Sequence, residues 1–183
     1  MGDELQWDLF IDIETTGLSC SNEIILINFQ DGIEGSHEML LSWETSEKGM
    51  LNELILRIGR VPSIYKRHLH CIGFNSLKFD IPFLFYRCIY HKILSPEELY
   101  RILFKDFWHY DLLQILLSKN NFQYFNWNKV LNAYGYPETK GKGRDIPNWY
   151  KNRDYTKIKT YAKSEFVPMS KIYKRIKAGD LRI

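Results

Sequence analysis

The chain has 183 residues, of which 45% are hydrophobic and 26% are charged. This length and composition exclude a disordered chain, and we expect a single domain over residues 1–183. No apolar run approaches the ~20 residues of a membrane span, so no membrane association is expected, and the acidic start does not match a secretory signal peptide. The three cysteines lack Cys-x-x-Cys spacing. This argues against structural zinc and a disulfide framework and favours a cytoplasmic protein.

The net charge of +3 is unevenly distributed along the chain. Residues 138–183 contain 13 Lys or Arg against 5 Asp or Glu, whereas the remainder is acidic. An acidic body with a basic C-terminal quarter is typical of an enzyme that binds a polyanion near a carboxylate-rich centre. A solvated basic helix without any ligand is the plainer alternative.

The first half of the sequence predicts an antiparallel meander followed by alternating helices and strands. Hydrophobic alternation and turn residues predict strands over residues 7–14, 23–30 and 36–43. A helix with one apolar face follows over 46–60, and a short buried strand over 70–75. The order indicates an α/β fold with a mixed sheet.

The second half continues this alternation and ends in a basic helix. Asp80 should begin a helix, and Ser95 to Glu98 form a capping box. The further predictions are a strand over 107–111, helices from Leu112 and over 127–134, a mobile loop over 137–147, and a last helix that Asp154 caps and Pro168 kinks or divides.

Two acidic residues stand at the end of the first predicted strand. Asp12 and Glu14 share one face of an extended strand, with their Cα atoms roughly 6.6 Å apart. Carboxylates this close repel each other unless cations lie between them, and Mg²⁺ and Mn²⁺ prefer such oxygen ligands. Thr15 and Thr16 follow and should leave backbone N–H groups free beside the pair. A solvated strand end that carries two acids is the alternative.

Three further residues extend this pattern. Asp80 stands at a helix N-terminus, where the partial positive charge favours a carboxylate, although an ordinary cap would look the same. Tyr161 and Glu165 are four residues apart, so they share one helix face and could hold one water molecule between them.

Three segments resemble, in order, the motifs of the DEDD 3′–5′ exonucleases. They are Phe10–Leu18, Gly73–Leu84 and Tyr161–Glu165. The position of Tyr161 is that of the tyrosine branch of this superfamily, and the middle segment is most similar to the proofreading exonuclease domain of family B DNA polymerases. No histidine follows His109, so the histidine branch lacks a corresponding residue.

The resemblance implies a ribonuclease H-like exonuclease fold, with a mixed central sheet, an N-terminal antiparallel meander and flanking helices. It also implies two divalent ions, Mg²⁺ or Mn²⁺, about 4 Å apart. Asp12, Glu14, Asp80 and Glu165 would hold them, and Tyr161 would orient the attacking water. The residues implied to contact substrate are Thr15 and Thr16 through backbone N–H groups, Leu18 and Phe79 through packing on the last bases, and Asn75.

Glu165 departs from the family motif, which ends in aspartate. The extra methylene moves the carboxylate by roughly 1.5 Å on an unchanged backbone, which is more than the ~0.5 Å that a productive site tolerates. Either the helix shifts to compensate or catalysis is weakened.

Other residues of the C-terminal half have weaker predicted roles. Asp111 is a minor candidate for a structural cap near the site. The aromatic residues of the segment 122–127, namely Phe122, Tyr124, Phe125 and Trp127, are more typical of a core than of a base-stacking platform. The basic residues predicted to contact upstream phosphates are Lys140, Lys142, Arg144, Lys151 and Arg153.

These observations predict a metal-dependent 3′–5′ exonuclease that hydrolyses single-stranded DNA or RNA to nucleoside 5′-monophosphates. A catalytically weakened nucleic-acid-binding module is the first alternative. An accessory subunit that works with a replication or repair protein is the second, and a two-metal endonuclease is the third.

Overall fold

The computed structural model describes residues 7–59, 69–119 and 125–181. A five-stranded mixed sheet in the order β3-β2-β1-β4-β5 lies at its centre. The strands are β1 (Trp7–Thr15), β2 (Ile24–Asp31), β3 (His37–Leu41), β4 (Leu69–Gly73) and β5 (Phe107–Asp111). The first three strands are antiparallel, and β4 and β5 run parallel to β1. The predicted meander and mixed sheet are therefore confirmed.

Helices cover both faces of this sheet. In the described residues they are α1 (Glu47–Gly59), α2 (Asp80–Tyr90), α3 (Pro96–Tyr100), α4 (Leu112–Lys119), α5 (Trp127–Ala133), α6 (Ile146–Lys151) and α7 (Tyr155–Lys177). A π-helical turn over Arg101–Lys105 extends α3, and a 3₁₀ turn over Gly143–Asp145 precedes α6. The capping box at Ser95 and Glu98 is present.

The alternation along β1 separates two cores. Leu9, Ile11 and Ile13 pack in the core that includes residues of α1 and α2. Phe10 packs on the opposite face with residues of α4, α5 and α7. Because successive strand residues point to opposite faces, Asp12 shares the face of Phe10 and is directed towards the layer that contains α7.

Three residues named in the predictions lie outside the described residues: Arg60, the last residue of the predicted first helix, Phe122 and Tyr124. The segment 137–147 is not a simple loop, because it contains the 3₁₀ turn and the first turn of α6, in which Pro147 is tolerated.

The last helix also differs from its prediction. Pro168 does not divide α7, which is continuous from Tyr155 to Lys177. Phe166, Met169 and Ile172 pack in the same core on both sides of the proline, which holds the helix together despite one lost backbone hydrogen bond. Asp154 occupies the N-cap position, but its side chain does not cap the helix and instead forms an ion pair with Lys157 at 2.7 Å.

No helix in the described ranges combines the length and apolar character that a membrane span needs.

Candidate active site

The acidic residues singled out in the sequence line one cavity beyond the carboxyl end of β1. This cavity has a volume of about 260 Å³. Its walls include all five residues predicted to be catalytic: Asp12, Glu14, Asp80, Tyr161 and Glu165. Three separate elements therefore contribute them, since β1 carries the first pair, α2 begins with Asp80, and α7 carries Tyr161 and Glu165.

Two of the four acids accept a hydrogen bond from the rest of the described chain. Asn28 Nδ2 donates to Asp12 Oδ2 at 2.8 Å, and the Ile13 backbone N–H donates to Asp80 Oδ1 at 3.0 Å. Tyr161 lies close enough to Glu165 for each side chain to shift the pKa of the other. Glu14 is different, because its Oε1 is buried without a hydrogen-bond partner in the described part of the chain.

Burial and mutual repulsion raise the pKa values of these acids. Desolvation is the largest cause for Asp12 and Glu14, whose pKa values lie well above the ordinary range, and the neighbouring carboxylates add to it. Desolvation also raises the pKa of Asp80 to about 7, although the Ile13 N–H opposes it. The pKa of Glu165 is raised by burial. Within the described residues, no basic side chain forms an ion pair with these acids.

These residues fit divalent cations, although they are not gathered around one point. No three His, Cys, Asp or Glu side chains of the described residues converge closely enough to form a ready-made metal site. The donor set nevertheless consists of carboxylate oxygens, which hard divalent ions prefer. The unpartnered Glu14 Oε1 is an acceptor directed into a buried acidic region, and a cation would satisfy it.

The segment between β4 and α2 is held in place by hydrogen bonds to one buried carboxylate, that of Asp111. Asp111, which is only 2% exposed, accepts from the Asn75 N–H at 2.8 Å and from the Leu77 N–H at 3.1 Å. It also accepts from the Leu113 N–H at 3.0 Å, as a cap of α4 would. Asn75 has φ of 61°, a left-handed conformation that asparagine tolerates. Asp111 is therefore a structural cap that fixes this segment, as the sequence suggested.

Two glycines lie directly against the Tyr161 ring. A Cβ atom on Gly143 would lie 3.3 Å from the Tyr161 hydroxyl, and one on Gly141 would lie 3.5 Å from the ring and 2.6 Å from Trp149. Gly141 also has φ of +130°, which other residues rarely adopt. Burial is the largest cause that raises the pKa of Tyr161 above its ordinary value, and the Glu165 carboxylate adds to it. The phenol is thus held neutral in a closely fitted position.

Two of the residues predicted to contact substrate, Asn75 and Phe79, line the cavity. The Leu18 side chain is 87% exposed in the turn after β1. The expectation of free N–H groups after β1 is wrong for Thr16, because its N–H donates to the Glu23 carbonyl at 2.9 Å. The hairpin between β1 and β2 continues past Glu14 and uses this donor. Thr15 is buried, and its hydroxyl donates to the Gly17 carbonyl at 2.7 Å.

The remaining predicted residues separate into core and surface. Phe125 and Trp127 are 3% and 5% exposed and belong to the core, so they form no open stacking platform. The five basic residues are all exposed: Lys140, Lys142, Arg144, Lys151 and Arg153. The first three alternate with Gly141 and Gly143, so they surround the point where the chain passes over Tyr161.

Sequence reasoning missed two residues that shape the cavity. Asn28 supports Asp12, and the strand register pairs the two residues directly. An alignment of the predicted hairpin strands could have found this pair. Trp127 donates from Nε1 to the Glu165 carbonyl at 2.9 Å and lines the cavity. The sequence placed Trp127 in the core but gave no signal for this contact, because its partner is 38 residues away.

Comparisons with known proteins agree with this architecture. The RNase H superfamily model matches residues 9–174. A product-bound structure of exonuclease I superposes with a TM-score of 0.65 at 14% identity, covering 94% of this chain and 43% of that one. The zinc-bound form of the Escherichia coli exonuclease I–ssDNA complex gives 0.58 at 15% identity, with coverage of 94% and 43%. A complex titled ExoI/SSB-Ct gives 0.63 at 14% identity, with coverage of 94% and 41%.

No curated protein sequence gives a match. The chain spans only 41% to 43% of the length of the three exonuclease I structures above, and at this identity the likeness concerns the fold. The ribonuclease H-like fold expected from the motifs is confirmed. Since the family model covers nearly the whole chain, this protein belongs to the RNase H superfamily.

Proposed function

We propose that this protein is a metal-dependent 3′–5′ exonuclease of the tyrosine branch that acts on single-stranded nucleic acid. The observation that carries this proposal is the cavity lined by four acidic side chains and one neutral tyrosine, in which Glu14 Oε1 is buried without a donor from the described residues. The likeness to exonuclease I structures supports the reaction class. The resemblance of the middle motif to family B proofreading domains supports the same chemistry.

Asp12, Glu14, Asp80 and Glu165 would hold the divalent ions, Mg²⁺ or Mn²⁺. Bound there, such ions would lower the pKa of water and stabilise the charge that develops on the scissile phosphate. Burial and the neighbouring carboxylates raise the pKa values of Asp12 and Glu14, the direction expected of a cluster that favours a proton or another cation. Asn28 holds one Asp12 oxygen in place, and the Ile13 N–H does the same for Asp80.

Tyr161 would orient the attacking water. Its phenol remains protonated because burial and the neighbouring Glu165 carboxylate raise its pKa. A neutral hydroxyl can accept a hydrogen bond from water while it donates to Glu165, but it cannot remove a proton. Tyr161 therefore acts through position. Gly141 and Gly143 leave the space that its ring requires.

The substrate would enter with its 3′-terminal nucleotide in the cavity. Phe79 lines the cavity and Leu18 is exposed in the turn after β1, so both could pack on unpaired bases, a mode that tolerates any sequence. The Lys140, Lys142 and Arg144 side chains would contact phosphates upstream. Exonuclease I structures include complexes with ssDNA and with SSB-Ct. By analogy, we propose single-stranded DNA as the preferred substrate and a DNA replication or repair protein as the partner, in the cytoplasm.

A binding module with weakened catalysis is the second candidate function. Two observations favour it: Glu165 is longer than the aspartate of the family motif, and the acids of the described chain do not converge on one point. Under this reading, Tyr161 and Glu165 remain paired with each other when cations are present, and the protein retains strands without cutting them.

The decisive experiment uses a single-stranded oligonucleotide labelled at its 5′ end, with Mg²⁺, with Mn²⁺ or with chelator. We expect a ladder that shortens one nucleotide at a time from the 3′ end, and no products with chelator. The variant Asp12→Asn should reduce the rate by at least ~10³-fold, about 4 kcal/mol of activation free energy, and should still bind the strand. An intact but bound strand under both metals would contradict the exonuclease and support the binding module.

A further inference from the structure

The charges of α7 are segregated around the helix. It carries seven Lys or Arg residues and a single acid, Glu165, which faces the active-site cavity. At 3.6 residues per turn, Lys159, Lys163 and Lys171 lie on the side of the helix opposite Glu165. All three are exposed, and none forms an ion pair within the described chain.

A continuous groove follows this basic side of α7. Three adjoining cavities of about 350, 530 and 520 Å³ share residues with one another along the helix, so they form a single depression, the α7 groove. His37 and Met39 of β3 line one part of it, and Tyr136 lines another. Lys159, Lys163, Lys171 and Lys174 all lie along it.

Acidic residues compensate little of this charge. Of the two acids that line the groove, Glu34 pairs with Lys174 at 2.7 Å, and both side chains are largely exposed. Glu138 accepts instead from Asn132 Nδ2 at 3.2 Å. Lysines spaced four residues apart on a helix repel each other and cost stability when no acid lies between them. A polyanionic ligand would remove this cost.

The groove is connected to the active site through one short segment. Lys140 lines the groove, and its N–H donates to Ser164 Oγ on α7 at 2.9 Å. The next residues, Gly141 and Gly143, lie against Tyr161. A strand that leaves the active-site cavity across this segment therefore meets the α7 groove beside Lys140.

We propose that the α7 groove binds the phosphodiester backbone of the single strand upstream of the nucleotide in the active-site cavity, an assignment that rests on the proposed function. From Lys159 to Lys174 the helix rises about 22 Å. At the ~3.4 Å per nucleotide of a stacked strand, this length accommodates about six phosphates. Tyr136 and Val167 add apolar surface for sugars and bases.

The test compares two triple variants that lose the same charge. The groove variant is Lys159→Gln, Lys163→Gln and Lys171→Gln. The matched control is Lys48→Gln, Lys92→Gln and Lys119→Gln, which are exposed lysines of α1, α4 and the turn after α2. Binding of a fluorescent 15-nucleotide poly(dT) strand is measured by anisotropy in chelator from 50 to 300 mM salt. Hydrolysis of a trinucleotide by the wild-type protein, with Mg²⁺ or Mn²⁺, reports on the proposed function separately.

We expect the groove variant to bind the 15-nucleotide strand ten to a hundred times more weakly than the control at about 0.1 M salt. The slope of its salt dependence should be smaller by about 2, since each lost phosphate contact on a single strand removes ~0.7. Equal affinities and slopes in the two triple variants, while the wild type cleaves the trinucleotide, would overturn the groove assignment alone.

Two other outcomes are informative. In the first, the groove variant binds the 15-nucleotide strand more weakly than the control, but the wild-type protein cleaves neither oligonucleotide. That result would support the groove and contradict the exonuclease. The groove variant could instead lose binding to a poly-glutamate peptide while it binds the 15-nucleotide strand as tightly as the control does. That result would overturn the assignment in favour of an acidic protein partner. Thermal unfolding of both triple variants checks that the fold is retained.

Discussion

Two buried glutamates lie beside the β1–β2 hairpin in opposite electrostatic states. Glu14 is 7% exposed and Glu47 is 8% exposed. Glu47 accepts from the Ile24 N–H at 2.8 Å, from Arg87 Nε at 2.7 Å and from His91 Nε2 at 2.7 Å. Burial alone would raise its pKa, but these donors lower it below the ordinary value. Glu14 has acids for neighbours, and its pKa is raised.

The comparison separates a structural acid from one that we propose to bind cations. The Glu47 cluster joins α1, α2 and the hairpin, and Arg87 also donates to the Cys20 carbonyl at 3.4 Å. This cluster contains its own counter-charge, Arg87. Among the described residues, no donor reaches Glu14 Oε1, so a cation would stabilise the acids around it. Since the exposed fractions of the two glutamates are similar, the difference in their partners supports a binding site at Glu14.

The largest effect on stability should follow from removing the counter-charge of Glu47. We expect Arg87→Met to lower the free energy of unfolding by about 3 to 5 kcal/mol, because a buried carboxylate loses its partner. Urea denaturation measures this change. Arg57→Met is the control, because Arg57 forms partly exposed pairs with Glu38 and Glu53, and it should cost about 1 kcal/mol or less. Equal losses would contradict the structural role of the Glu47 cluster.

The two clusters should respond to pH with opposite signs. In chelator and between pH 3.8 and about 7, the Asp80 carboxyl is protonated in the folded protein and ionised in the unfolded chain. The free energy of unfolding therefore falls as the pH rises through this range. The lowered pKa of Glu47 has the reverse effect, since its contribution is present above its ordinary pKa of 4.5 and is lost as the pH falls.

Thermal unfolding from pH 4 to 8 in chelator tests this difference. Asp80→Asn should raise Tm at pH 8 by several degrees and flatten the pH profile, whereas Glu47→Gln should lower Tm at pH 8. The same pH slope for the wild-type protein and Asp80→Asn would show that Asp80 is ionised in the folded protein.

A smaller gain should come from neutralising Glu14 itself. Glu14→Gln should raise the free energy of unfolding in chelator, because burial and the neighbouring carboxylates disfavour the charged form of Glu14 in the fold, as its raised pKa indicates. The same variant should abolish the stabilisation that Mn²⁺ gives to the wild-type protein and should lose nuclease activity. A Glu14→Gln variant that is stabilised by Mn²⁺ as strongly as the wild type would remove Glu14 from the proposed ligand set.

The smallest effect should concern the position of Tyr161. A Cβ at residue 143 would lie 3.3 Å from its hydroxyl, so Gly143→Ala should displace the phenol by a few tenths of an ångström and reduce the cleavage rate by up to ~10-fold, with an unchanged Tm. Gly59→Ala is the control, because nothing lies within 4 Å of its Cβ position. An unchanged rate in Gly143→Ala would show that hydrolysis tolerates a shifted tyrosine.

Local pattern was sufficient for most of the fold. Alternating apolar residues predicted β1 to β3, and the Ser95 capping box and the start of α2 at Asp80 are found where the sequence placed them. These features depend on neighbours within a few residues. Pro168 was predicted to kink or divide the last helix, and the division does not occur, because helix continuity there depends on core packing, which a local rule about proline does not include.

The sequence by itself singled out the side chains that we propose to carry the chemistry, since Asp12, Glu14, Asp80, Tyr161 and Glu165 stand in recognisable local motifs. Only the tertiary structure decided their electrostatic states. Glu14 and Glu47 have similar exposed fractions, yet burial and neighbouring acids raise the pKa of Glu14, whereas Arg87 and His91, which are 40 and 44 residues away along the chain, lower the pKa of Glu47. Charge interactions act through space, and chain topology alone sets those distances.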